Sequence, residues 1–121
     1  MRTGTIASEV FDRRVFPPGK EIFAEGEPGT TAYLVQSGAV EIYKRRPDGE
    51  TVLGRIAPGG IFGEMALIDR HPRMASARAA EETVCLVIPH GIIEKKLAKA
   101  DPFLVALIRI FVGNVRSLAA R

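Results

Sequence analysis

From Val10 to Gly60 the chain never runs far without a turn. Pro17-Pro18-Gly19, Glu25-Gly26-Glu27-Pro28-Gly29, Ser37-Gly38, Pro47-Asp48-Gly49 and Pro58-Gly59-Gly60 punctuate it at intervals of roughly ten residues. Short apolar or alternating runs lie between them, a rhythm that produces an antiparallel barrel or jelly roll. Tyr33-Leu34-Val35-Gln36 and Val40-Glu41-Ile42-Tyr43-Lys44 flank Ser37-Gly38-Ala39 and are expected to pair as a hairpin. Alternation puts Val40, Ile42 and Lys44 on one face and Glu41 and Tyr43 on the other. Asp48-Gly49 marks a second hairpin turn leading into Thr51–Ile56. Residues 1–8 are short and polar, and both a helical turn packed on a neighbour and a frayed end are open to them.

The stretch from Phe62 to Ala80 carries a different kind of information. Glu64 to Ile68 reads as a single helical turn, whose N-terminus presents free N–H groups and partial positive charge, the arrangement that holds phosphates. Gly63 lets a ligand approach the backbone where a Cβ would block it. Arg73, on a loop fixed by Pro72, can return to the same spot as a planar fork for two phosphate oxygens. At neutral pH Glu64 only accepts hydrogen bonds, which suits a donor such as a sugar hydroxyl. Phosphate plus ribose means a nucleotide. The plainer alternatives are a carboxylate complementing a helix dipole and a surface arginine on a loop.

Gly63-Glu64-Met65-Ala66-Leu67 followed by Pro72-Arg73-Met74-Ala75-Ser76 resembles the phosphate-binding cassette of the cyclic nucleotide-binding domain family. That family is found in kinase regulatory subunits, the catabolite activator protein and cyclic-nucleotide-gated channels. The spacing from Gly63 to Arg73 is similar to the kinase-type cassette without a gap. Pro18–Phe23, Glu25-Gly26-Glu27, Tyr33-Leu34-Val35 and Ser37–Val40 also resemble its successive strands and turns, so the likeness runs from about Val10 to Ala120. It implies a mainly β fold: an eight-stranded antiparallel roll, a short phosphate-binding helix and C-terminal helices.

The same resemblance implies the site. Arg73 would be the counter-ion of the cyclic phosphate and Glu64 the acceptor of the ribose 2′-hydroxyl. The N–H groups of Ala66 and of Met74 would reach phosphate oxygens, with Gly63, Ala66 and Ala75 keeping the pocket narrow. Met65 and Met74 would be apolar walls, Met65 facing a lid. Cyclic-GMP-selective members typically carry threonine where Met74 stands, and a thioether offers the guanine amino group little. The ligand expected is therefore cyclic AMP, with cyclic GMP second, and no cofactor. Relatives often have aspartate at Thr30, helping to hold the arginine, and its absence here leaves the arginine's support open. Ser76 is either a polar contact or a plain strand residue, and Asp69, Arg70 and His71 are assigned to solvent.

Ser76–Ala80 and Thr83–Ile88 read as the last two strands, stopped by Pro89. A short basic helix follows over Ile92–Ala100, with Ile92, Ile93 and Leu97 as its apolar side. Asp101-Pro102 restarts helix with an N-cap acceptor and a first-turn proline. The last helix is apolar around most of its circumference, with Arg109 and Arg116 as its interior charges. It is expected to be buried on two sides or to pair with another chain, and homodimerisation is favoured. Broken by Arg109, it is read as too short to span a bilayer.

A chain of 121 residues is read as one domain, with a roll over about 10–89 and helices over about 90–120. Its net charge of +3 is not gathered into runs, so nucleic acid is not an expected partner; nor is a membrane, because the last helix lacks a distinct polar face. Cys85 is the lone cysteine and is expected to be an inert core thiol. His71 and His90 do not form the clustered set that a metal-dependent cupin enzyme needs. No signal-peptide core is present, so the cytoplasm is the default. The function expected is a cyclic-nucleotide sensor, not an enzyme, signalling through its C-terminal helices to an unidentified effector. The alternative is the same fold without ligand affinity, serving as a dimerisation module.

Overall fold

The computed structural model describes residues 3–6 and 9–119. The described strands are β1 (Thr3–Ile6), β2 (Glu9–Phe16), β3 (Glu21–Phe23), β4 (Thr31–Ser37), β5 (Val40–Arg46), β6 (Gly49–Ile56), β7 (Ile61–Phe62), β8 (Ser76–Ala79) and β9 (Thr83–Pro89). The helices are α1 (Glu64–Asp69), α2 (His90–Lys99) and α3 (Pro102–Ala119). Two antiparallel sheets form, ordered β1-β2-β9-β4-β7 and β3-β8-β5-β6. β2 to β9 are the expected eight-stranded roll.

The near-continuous apolar runs in β4 and β9 follow from burial on both faces. Tyr33, Val35 and Cys85 point into the core shared with Phe16, Phe23, Val40 and Phe62. Ala32, Leu86 and Ile88 point the other way, joining Phe11 and Leu67 in a second cluster capped by Ile92 and Ile93 of α2. The first sheet is thus sandwiched between the second sheet and the helices. Four aromatic rings stiffen the core beneath one end of the roll. Tyr33 stacks on Phe62 at 5.1 Å, Phe23 lies 6.0 Å from Phe62, and Phe16 meets Tyr33 edge-on at 6.1 Å.

Three expectations change. Residues 3–6 are a strand, paired antiparallel with β2 from Thr3↔Asp12 to Ile6↔Glu9, and the rest of residues 1–8 lies outside the described residues. β4 and β5 do not pair as a hairpin. β4 bonds to β7 and β9, while β5 bonds to β6 and β8. Ser37-Gly38-Ala39 is a corner that carries the chain from one sheet to the other. Gly38 turns it at φ +84°, with a Cβ there falling 2.6 Å from Thr83 Oγ1. Thr83, fully buried, ties the corner by accepting from Ala39 N–H at 3.2 Å and donating to Ala39 carbonyl oxygen at 2.9 Å. The Asp48-Gly49 hairpin forms as expected, Arg46 facing Gly49.

The third change concerns α3. Phe103 N–H donates to Asp101 Oδ1 at 2.8 Å, so the expected cap is made. Yet Val112 is its one buried residue among those described, and Phe103, Leu104, Ile110, Phe111 and Leu118 are exposed. The helix is not buried on two sides within this chain. Its 18 residues also reach, by length and composition alone, what a membrane span requires, so the expectation of too short a stretch does not hold.

Candidate functional site

β7 delivers the chain to Gly63, which adopts φ +80° and opens α1. A Cβ at Gly63 would lie 2.8 Å from Arg73 Nη1 and 3.3 Å from Phe23 Cε2, so glycine here leaves room for the guanidinium itself. Buried Leu67 presses α1 onto the second cluster, which leaves Glu64, Met65 and the buried Ala66 lining the cavity. Arg70, at φ +58°, ends the helix and starts the loop to Arg73.

Arg73 is fixed at both backbone and side chain. Its N–H donates to Glu27 carbonyl oxygen at 2.9 Å, and its own carbonyl accepts from Gly26 N–H at 2.8 Å. The turn Glu25-Gly26-Glu27 therefore serves as the clamp for the arginine's backbone. The side chain is 6 % exposed. Nη1 donates to Gly63 carbonyl oxygen at 2.7 Å, Nη2 to Thr31 carbonyl oxygen at 2.6 Å, and the guanidinium lies 4.0 Å over the Phe23 ring. Two backbone carbonyls and an aromatic face thus provide the support that a carboxylate at Thr30 would have given. Nε is buried with no protein partner. Burial pushes the Arg73 pKa down, against the pull of Tyr33, Glu27 and Glu64.

Glu64 is half-buried at the same mouth. Burial pushes its carboxyl up, while a bond to its own backbone N–H and the nearby Arg73 charge act in the opposite direction. Beyond that bond to its own backbone, no other residue pairs with its carboxylate among the described residues. Its acceptor capacity faces the cavity.

That cavity, about 210 Å³, is lined by all seven residues singled out in the sequence: Gly63, Glu64, Met65, Ala66, Arg73, Met74 and Ala75. Phe23 and Phe62 form its floor and Ile42, Ile56 and Ile61 a wall. Alternation places Ile42 on the same face of β5 as Val40, which the structure turns to the core, but no local signal ties it to a ligand. Val115 and Arg116 of α3 complete the lining; with no tryptophan in the chain, an aliphatic, phenylalanine or arginine lid from the C-terminal helices is the expectation, but nothing local singles out these two, some forty positions from the cassette. Ser76 instead accepts from Glu25 N–H at 3.0 Å, as a strand-to-turn tie. No group of three or more His, Cys, Asp or Glu side chains suited to a metal occurs among the described residues.

The assignment of Asp69 to solvent is corrected. Its side chain is 14 % exposed and grips Arg116, which is 16 % exposed, through Arg116 Nε to Oδ2 and Nη2 to Oδ1, the latter at 3.0 Å. Arg116 Nη1 also donates to Pro72 carbonyl oxygen at 3.0 Å. Burial raises the Asp69 carboxyl, but Arg116 and the His71 N–H outweigh it and hold the pKa below its ordinary value. Arg70 and His71 are exposed, as expected, Arg70 lying 3.5 Å from Glu94.

Residues 13–100 match the model of the cyclic nucleotide-binding domain. The chain belongs to that family. As a cyclic nucleotide-binding domain it is 43 % identical over 84 residues to the cyclic AMP receptor protein of Thermus thermophilus, covering 69 % of this chain and 39 % of that protein. It is 34 % identical over 102 residues to a CRP-like cAMP-activated global transcriptional regulator of Mycobacterium tuberculosis, covering 84 % and 46 %. Its structure is similar to the cAMP-bound form of the EAL enzyme Bd1971, with a TM-score of 0.84 and 32 % identity over 87 % of this chain and 28 % of that one. The cyclic nucleotide-binding domain described here spans less than half the length of these curated relatives. The expectation of no nucleic-acid partner rests on the charge pattern of this chain, whereas one of these relatives is named a transcriptional regulator.

Proposed function

We propose that this domain is a cyclic-nucleotide sensor, favouring cyclic AMP over cyclic GMP, with no chemistry of its own. The observation that carries the reading is the Arg73 guanidinium, buried at the cavity with Nε unpartnered and one N–H left over on each Nη. A buried donor without an acceptor is costly. A singly charged phosphodiester would supply acceptor and counter-charge together. Glu64, across the same mouth, would accept from the ribose 2′-hydroxyl. Apolar walls at Met74, Ile56 and Ile61 suit a purine face and offer no partner to a guanine amino group.

α3 stands over this mouth through Val115 and Arg116, which makes it the element that nucleotide would reposition. A ligand shifts such an arrangement only by its differential affinity for the two states. The exposed apolar face of α3 supports a homodimer or an effector contact as the output. It also favours the second reading, a domain that has lost ligand affinity and serves only to assemble. The cytoplasm is the compartment proposed. Calorimetric titration with both nucleotides separates the readings. Binding of cyclic AMP at lower concentration than cyclic GMP is expected. Absence of heat and of thermal shift with either at millimolar concentration would sink the sensor and leave the assembly module, and equal affinities would remove the base preference alone.

A further inference from the structure

Outside the nucleotide contacts, the least expected group in the molecule is the largely covered fork between Asp69 and Arg116. We propose that Asp69 is a positioning residue: through Arg116 it holds α3 over the cavity and so sets how long bound nucleotide stays. This rests on the cavity being a nucleotide site. An exposed ion pair would carry no such role, since exposed pairs contribute little. Here both partners are about six-sevenths covered, the contact is a two-point fork, and Pro72 carbonyl oxygen takes a third guanidinium donor.

The placement gives the pair its leverage. α3 rests on the rest of the chain mainly through α1, and Val112 is its one buried residue among those described. Few contacts other than the fork therefore anchor the helix. Arg116 directly follows Val115, which lines the cavity mouth, and Pro72 directly precedes Arg73. The fork joins the segment that presents Arg73 to the helix turn that covers the opening. Because Arg116 Nε and Nη2 are committed to Asp69 and Nη1 to Pro72, Arg116 acts here as a strap on α3 and is not free to read a base.

The test uses Asp69→Asn, which keeps the acceptor for His71 N–H, Arg116→Gln, and the double variant. Release of a fluorescent cyclic-AMP analogue, chased with unlabelled cyclic AMP, reports the lid. Amide exchange of α3 without nucleotide reports the strap. Each single variant is expected to speed release about tenfold while association stays within about threefold, since such changes fall mainly on dissociation. Exchange should rise in α3 and not in the β-strands. The double variant should be no worse than either single one, because both remove the same contact. Release within about twofold of the parent in both single variants, or additive effects in the double, would overturn the proposal. A parent that binds no nucleotide would instead overturn the sensor reading. The exchange arm then still decides on the strap: α3 amides unchanged in Asp69→Asn would refute it.

Discussion

At the scale of single residues, the site sets two charges against burial. Arg73 is held by carbonyls, not by a carboxylate, so the guanidinium arrives uncompensated and oriented. Arg73→Ala should leave the fold intact and weaken cyclic AMP binding by about two to three and a half decades. That follows from roughly 3–5 kcal/mol for one partner of a buried charge pair, at 1.4 kcal/mol per decade. Calorimetry giving an affinity within about threefold of the parent would show the phosphate to be elsewhere. Glu64 makes the opposite prediction for stability. Its folded pKa is raised by burial, so the protonated form fits the fold better, and that stability is lost as pH rises through the folded pKa. At neutral pH its charge is a cost in the unliganded domain. Glu64→Gln should raise the melting temperature at pH 7, with the difference shrinking as pH falls below the ordinary carboxylate range, and should weaken nucleotide binding. A lower melting temperature at pH 7 would contradict the sign argued here.

At the scale of elements, turn chemistry is local and was legible, whereas partnership is not local and was not. Each glycine-bearing turn from Pro17 to Gly60 ends or begins a strand, and the Gly63–Ala75 segment could be read because glycine, carboxylate and arginine lie within one short stretch. Ser37-Gly38-Ala39 looks like a hairpin by the same local rules. Only the packing of Thr83 against Ala39, 44 positions away, turns it into a corner between sheets. The partner of Asp69 lies 47 positions on, which is why its exposed-loop appearance misled. Residues 3–6 carry little apolar patterning, and their strand state comes from the edge offered by β2. The corner gives a prediction of its own. Gly38→Ala should cost about 1–3 kcal/mol for the left-handed backbone alone, and more from the close approach to Thr83. Urea unfolding should register that loss, while a variant as stable as the parent would mean that the corner can relax.

For the whole molecule, the prediction about assembly rests on α3. A helix with Leu104, Ile110, Phe111 and Leu118 in water is the kind of surface that marks an interaction site. Sedimentation should give a dimer for the parent and a monomer for Ile110→Asp, and an unchanged mass would refute pairing through this face. The core leaves one more property, seen from outside the protein as reactivity. Cys85 is fully buried between the sheets and burial pushes its thiol up to about 11, so almost no thiolate exists at neutral pH. Maleimide should leave the folded protein unmodified and react once it is unfolded. The native chain therefore serves as a silent background for thiol chemistry: a cysteine placed on the outer face of α3 would take a probe alone, and the motion of that helix could be followed without first removing Cys85.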